Sequence, residues 1–117
     1  MMKVIIAGSR TITDQKIVDH AVFNSGLRIS EVVCGGARGV DKLGKRWARG
    51  YTPVKMFLAD WDTHGKAAGH IRNAQMASYA DALILVWDGE SRGSADMLQK
   101  AKALDLPVYE AIIPSFM

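Results

Sequence analysis

Short apolar runs recur along the chain, and most of them stop at glycine or aspartate. Residues 4–7 and 32–34 stop at glycine, and residues 82–87 form a continuous apolar run that stops at aspartate. Runs of this kind, bounded by turn residues, are typical of strands buried in a parallel sheet. Two further strands are predicted at residues 54–59 and 107–111.

Between these runs, apolar residues recur at helical spacing. The first predicted helix follows N-cap residues at 11–14 and ends at a C-cap, Gly26. Three further helices are predicted over residues 38–49, 71–80 and 94–104. Ser94 or Gly93 is the predicted cap of the last helix. Residues 60–69 show no periodicity and are predicted to form a polar loop, and the last residues are predicted to form a tail.

Strand and helix alternate throughout, which predicts right-handed βαβ crossovers. The expected fold class is therefore α/β, with about five mainly parallel strands and helices on both faces of the sheet. A length of 117 residues fits one domain over residues 1–117. The hydrophobic fraction of 49% and the charged fraction of 23% are ordinary for a globular protein and argue against disorder.

Charge and cysteine content limit the expected binding partners and the expected cellular compartment. The net charge of +3 does not by itself indicate a nucleic-acid binder. The single cysteine, Cys34, excludes an internal disulfide and favours a reducing compartment; it is expected to be a small buried apolar residue, with a reactive thiol as the alternative. No signal peptide or membrane span is predicted, so the expected location is the cytoplasm, or the host cytoplasm if the protein is viral.

Glycine and cationic residues follow the predicted strands. In open parallel sheets, ligands bind outside the carboxyl ends of the strands. Glycine permits close approach of the backbone, helix N-termini attract anions, and arginine binds phosphate in a bidentate manner. These loops predict a site for a phosphate-bearing ligand. The loop residues expected to bind it are Gly8, Ser9, Arg10, Gly35, Gly36, Ala37, Arg38, Gly39, Trp61, Lys66, Arg72, Gly89, Ser91, Arg92, Gly93 and Ser94.

Each loop also has a purely structural alternative. Arg10, Arg38 and Arg92 are also explained as solvated or ion-paired surface residues. The pair Gly35 and Gly36 is also explained by a tight turn. All of these alternatives must hold together for the predicted site to vanish, so the combined pattern favours a ligand site.

Carboxylate and imidazole groups in the same loops are candidates for chemistry. Asp60 and His64 are candidate catalytic residues, and Asp60 with Asp62 is also typical of a metal or ribose contact. Asp41 and Asp96 lie in first helical turns, where the helix dipole alone explains an acid. Zinc spacing, a phosphate-loop lysine motif and a Gly-x-Gly-x-x-Gly motif are all missing from the sequence, so no metal and no separate cofactor are predicted.

The tryptophans are assigned different roles. Trp47 is expected to pack in the core, and Trp87 is expected to be structural. Trp61 follows a strand beside the predicted site, where stacking on a nucleobase and plain packing are equally plausible.

Four segments together resemble the SLOG superfamily, and in particular its YspA/YpsA-related branch. They are residues 8–10, residues 34–41, residues 59–61 with 64–69 and 72–73, and residues 89–94. The resemblance covers nearly the whole chain and implies a Rossmann-like sheet that binds a nucleotide or nucleotide derivative. It implies that the pocket is lined by Gly8, Ser9, Gly35, Gly36, Arg38, Gly93 and Ser94, and the matching segments add Asp41 and Asn73 as candidate ligand-binding residues. It also implies a homodimer or higher oligomer.

The superfamily includes the Lonely-Guy phosphoribohydrolases, which release a base from a nucleoside monophosphate. Residues 72–76 parallel one of their motifs, so Arg72 is a candidate catalytic arginine. Residues 91–97 parallel the other motif, but Met97 stands where that family has its catalytic glutamate. A thioether cannot act as a general acid or base. Binding is therefore favoured over cleavage, with Asp96 or Asp60 as the substitute acid if cleavage occurs.

Residues 36–41 also resemble the DNA-processing protein DprA, which binds single-stranded DNA. The chain lacks the additional domains of that protein, and its charge is modest. A nucleotide-derived small molecule is therefore the expected partner, single-stranded nucleic acid is the weaker alternative, and no membrane partner is expected.

Overall fold

A computed structural model describes residues 1–114. Its five strands, all parallel, form one sheet in the order β3-β2-β1-β4-β5. The strands are β1 (Met2–Gly8), β2 (Ile29–Cys34), β3 (Val54–Met56), β4 (Ala82–Trp87) and β5 (Val108–Ile112). The predicted α/β class is confirmed. The end of the predicted tail, residues 115–117, lies outside the described residues.

The helices cover both faces of this sheet. They are α1 (Gln15–Ser25), α2 (Val40–Ala48), α3 (Trp61–His64), α4 (Ala68–Tyr79) and α5 (Arg92–Ala103). Side chains alternate between faces along a strand, so β1 sends Val4 and Ile6 towards one core cluster and Ile5 towards the other. Helices α1 and α2 pack on the first cluster, and α4 and α5 pack on the second. No helix of residues 1–114 is long and apolar enough to cross a membrane.

The central strands β1 and β4 anchor the core. All six residues of β4 are buried, as its continuous apolar run predicts. Burial on both faces explains why this strand contains no alternating polar positions. Trp87 ends the strand, where its Nε1 atom donates to Glu110 at 2.7 Å, which agrees with the structural role predicted for it. Trp47 is half-buried and packs against the first core cluster.

The prediction for β3 was too long. The strand ends at Met56 instead of residue 59, because its partner β2 ends at Cys34, the residue paired with Met56. One further hydrogen bond joins the Phe57 N–H to the Cys34 carbonyl at 2.9 Å. Because β2 ends at Cys34, the residues that follow Phe57 have no strand partner in β2.

Three helix starts also differ from the prediction, and α2 begins at Val40 instead of residue 38. Residues 60–69 are not a loop: α3 occupies Trp61–His64, a short 3₁₀ turn follows, and α4 begins at Ala68 instead of residue 71. The α5 helix begins at Arg92, and its N-cap is Ser91, not Ser94 or Gly93. The Ser91 hydroxyl accepts a hydrogen bond from the Ser94 N–H at 3.4 Å. The predicted Gly26 C-cap of α1 is confirmed.

Cys34 is buried at the end of β2. Burial, followed by the nearby charge of Asp41, raises the pKa of the thiol to about 11. A thiol with so high a pKa remains protonated at neutral pH, which agrees with the apolar structural role expected from the sequence.

Candidate functional site

A cavity of about 280 Å³ opens at the carboxyl edge of the sheet, between the end of β1 and helices α2, α4 and α5. It is bounded by the loops that follow β1 and β4 and by the starts of α2 and α5. The lining residues are Ala7, Gly8, Arg10, Ala37, Asp41, Arg72, Asn73, Met76, Ser91, Gly93, Ser94 and Met97. We call this space the main cavity.

The first turn of α5 forms one wall of the main cavity. Ser94 lies in this turn and is only 4% exposed. Among the described residues, its hydroxyl oxygen has no hydrogen-bond partner. A buried hydroxyl without a partner is unfavourable, and buried polar groups in native proteins are nearly always satisfied. The Ser94 hydroxyl is therefore placed to bind a group that enters the cavity.

The loop after β1 forms the wall beside it. A Cβ atom at Gly8 would overlap the Val86 carbonyl, so glycine is required where β1 and β4 come this close. Ser9 is buried, but its hydroxyl accepts from the Asp88 N–H at 3.0 Å and joins the two strand-end loops. The structure therefore gives Ser9 a role in holding the loops, and the neighbouring Arg10 lines the cavity.

Asp41 fixes the loop between β2 and α2. Its Oδ2 atom accepts from the N–H groups of Gly35 at 3.2 Å and Ala37 at 3.3 Å. Burial raises the pKa of this carboxyl. The two N–H donors and the nearby charge of Arg72 lower the pKa, but the effect of burial is larger. The first-turn position of Asp41 did not reveal this role, because the loop it supports folds back on the helix.

Arg72 reaches from α4 to the same loop. Its Nη1 atom donates to the Gly35 carbonyl at 2.6 Å, and its Nε atom donates to Asn73 Oδ1 at 3.1 Å. These two bonds hold the guanidinium group at the wall of the cavity, close to the Asp41 carboxyl. The planar donor set is thereby oriented before any ligand arrives.

Comparisons with known proteins identify the family. The model of the YspA, cpYpsA-related SLOG family matches residues 2–64, which is more than half of the chain. The chain belongs to this family. The matched segment includes Gly8, Gly35 and Asp41, whereas the α5 wall of the main cavity lies outside it.

A relative of similar length matches nearly the whole chain. It is the gene 61 protein of Mycobacterium phage D29, which is 36% identical over 119 residues and covers 92% of this chain and 94% of its own length. The name of that protein states no activity. No solved structure matches the chain.

Neither of the acids expected to replace the Lonely-Guy glutamate, Asp96 or Asp60, lines the main cavity. Asp96 instead accepts from Asn73 Nδ2 at 3.0 Å and Lys100 Nζ at 2.5 Å, and its Oδ1 atom lies 2.8 Å from His70 Nδ1. Partial burial raises the pKa of Asp96, but these three partners outweigh it and hold the pKa below its ordinary value. Met97 lines the cavity.

His70 is a polar neighbour that sequence reasoning missed. It contacts Asp96 from α4, and Asn73 joins Asp96 to the Gly93 carbonyl at 3.3 Å. Asn73 therefore connects the middle of α4 to the first turns of α5 on the cavity wall. Only the folded arrangement of these two helices reveals the connection, because the residues are distant in sequence.

Several predicted site residues lie outside the main cavity. Arg38 lines a neighbouring groove with Lys42 and Lys45. Asp60 caps α3 by accepting from the Thr63 N–H at 3.1 Å. Hydrogen bonding from the Thr63 side chain, followed by this backbone bond, lowers the pKa of Asp60. The residues that the structure does not bring into the main cavity are Ser9, Gly35, Gly36, Arg38, Gly39, Asp60, Trp61, His64, Lys66, Gly89, Arg92 and Asp96.

Metal ligands are also not brought together. Within residues 1–114, no group of three or more His, Cys, Asp or Glu side chains is placed to hold a metal ion.

Proposed function

We propose that this protein binds a nucleotide or nucleotide-derived ligand, with a phosphate group of the ligand at the start of α5. The observation that carries the proposal is the Ser94 hydroxyl, which is buried and without a partner among the described residues, on the wall of the main cavity. The first N–H groups of a helix have no partner within the helix, and the helix dipole favours an anion there. A phosphate oxygen would accept a hydrogen bond from the Ser94 hydroxyl, and its negative charge would be stabilised by the N-terminus of α5.

The charges of the cavity support an anionic ligand. Arg10 and Arg72 are its cationic lining residues, and Asp41 is its lining carboxylate. Asp41 already accepts from two backbone N–H groups, and burial raises its pKa, which lowers the energetic cost of its neutral form. A volume of about 280 Å³ is at the lower limit of small-molecule sites and fits one part of a nucleotide.

Binding without cleavage is the form of this function that we favour. The site position occupied by glutamate in the phosphoribohydrolases carries Met97, and Asp96 is engaged by three other side chains. The alternative, base release from a nucleoside monophosphate, is supported by Arg72 on the cavity wall. Chromatography of nucleoside monophosphates incubated with the protein separates the two. Base release that disappears in Arg72→Ala would establish the alternative.

Ser94→Ala is expected to weaken nucleotide binding about 10-fold, because the ligand loses one hydrogen bond to a charged group. The melting temperature should stay the same or rise, since the variant removes a buried hydroxyl that lacks a partner. Isothermal calorimetry with nucleoside mono-, di- and cyclic phosphates and NAD-derived nucleotides measures the affinity. Thermal melting without ligand measures the stability.

Ser25→Ala is the matched control. The Ser25 hydroxyl donates to the Val22 carbonyl at the end of α1, and the residue does not line the cavity. This control should retain the full affinity. If no nucleotide of the panel binds the folded wild-type protein, the proposed function is wrong; if Ser94→Ala binds as tightly as the wild type, the phosphate does not lie at α5.

A further inference from the structure

A second cavity of about 250 Å³ adjoins the main cavity on the side of β3. We call it the side cavity. Arg10, Ala37 and Arg72 line both spaces. The two cavities therefore adjoin each other at these three residues. If the phosphate of a ligand binds at α5, the rest of that ligand can extend into the side cavity.

The side cavity is lined by apolar side chains that are exposed to solvent instead of being packed in the core. Trp61 is 53% exposed and Leu58 is 69% exposed, and both line this space. The main cavity differs in this respect, since its lining apolar residues Met76 and Met97 are buried. The apolar area in the side cavity is therefore available to a ligand.

Trp61 is held in place on a short structured segment. It begins α3, whose N-cap Asp60 accepts from the Thr63 N–H. The Trp61 Cη2 atom and the Arg72 Nη2 atom lie 3.7 Å and 3.9 Å from the point where Gly69 would carry a Cβ. The indole edge and the guanidinium group thus flank the same point on α4. An aromatic surface therefore lies next to a cation where the two cavities adjoin.

We infer that the side cavity binds the nucleobase of the ligand, stacked on the indole of Trp61. This inference rests on the proposed phosphate site, and it specifies the ligand class as a nucleotide that retains its base. The side chains that line the side cavity offer hydrogen-bond donors from Arg10 and Arg72 and apolar surface from Trp61 and Leu58. Stacking accepts every base because each base has a π-face, and the larger ring of a purine gains more contact. Purine nucleotides are therefore the tightest ligands.

The test compares two probes that share a phosphate but differ in the base. Guanosine monophosphate carries the base, and ribose 5-phosphate lacks it. Trp61→Ala is expected to lower the affinity for guanosine monophosphate about 10-fold and to leave that for ribose 5-phosphate unchanged. Trp61→Phe, which retains an aromatic face, should restore most of the loss. Tyr51→Ala, which removes a 94% exposed aromatic side chain outside both cavities, is the matched control.

Each other outcome overturns the inference in a distinguishable way. An equal loss for both probes would mean that Trp61 only supports the two cavities. Unchanged affinities would place the base elsewhere, or would leave the Trp61 surface to a protein partner. If the wild type binds ribose 5-phosphate as tightly as guanosine monophosphate, the phosphate site stands and the base site fails. If neither probe nor any nucleotide binds, the proposed function fails as well.

Discussion

Gly39→Ala is expected to lower the free energy of unfolding by about 3 kcal/mol or more. Gly39 is the N-cap of α2, with φ of 73° and ψ of −129°, a conformation that residues with a side chain rarely adopt. A Cβ atom there would also lie 2.6 Å from the Cα atom of Arg10 and would overlap the Ser9 carbonyl. The β1 loop and the start of α2 are pressed together at this glycine. The melting temperature should fall by roughly 10 °C.

Gly50→Ala separates backbone strain from steric overlap. Gly50 has φ of 83°, but a Cβ atom at this position would have no atom within 4 Å. This control should therefore show only the conformational cost, about 1 kcal/mol. Urea denaturation of the two variants measures the difference. Equal losses for Gly39→Ala and Gly50→Ala would show that the two loops do not need to lie this close.

The strands that the sequence predicts best are those whose burial is complete. The β4 run from Ala82 to Trp87 is apolar throughout because both of its faces are covered, so its ends could be read from the adjacent polar residues. The end of β3 could not, because residues 57–59 are also apolar and the strand stops where its neighbour β2 stops. Strand length here depends on pairing, which local composition does not record.

The helical start at α3 was missed for a different reason. It has four residues and none of them is buried, so it has no apolar period to detect. Its remaining signal is the N-cap Asp60, for which the sequence predicts a catalytic role or a metal or ribose contact. A capping role competes with any chemical role for the same carboxylate.

The sequence predicts the cationic and glycine-rich character of the site. It does not predict which of these residues line the main cavity and which make other contacts. Arg10 and Arg38 are similar as sequence positions after strands, yet the fold directs Arg10 to the main cavity and Arg38 to a groove beside Lys42. Ser9 and Ser94 are likewise similar, but Ser9 has a backbone donor and Ser94 has no partner among the described residues. Such differences depend on which loops meet in space, and a single sequence does not contain that information.

Asp41→Ala is expected to lower the free energy of unfolding by about 3 kcal/mol, because it leaves two backbone N–H groups without an acceptor beside a cationic neighbour. These donors are the N–H groups of Gly35 and Ala37, and the neighbour is Arg72. Nucleotide affinity should fall too, since the loop that carries Ala37 lines both cavities. Chemical denaturation and calorimetry measure the two effects. A loss below about 1 kcal/mol would mean that water replaces the carboxylate as the acceptor for these donors.

Asp41→Asn is the matched control, because it keeps an oxygen acceptor and cannot ionise. Burial raises the pKa of Asp41 in the folded protein, so the folded state binds this proton more tightly than the unfolded chain. The wild type therefore loses stability relative to Asp41→Asn as the pH rises from about 4, the unfolded value, through the raised folded pKa. Above that pKa the difference is constant. Urea denaturation of both proteins across the acid range measures their free energies of unfolding. If the wild type keeps or gains stability relative to Asp41→Asn as the pH rises, the two N–H donors and Arg72 outweigh burial at this carboxylate.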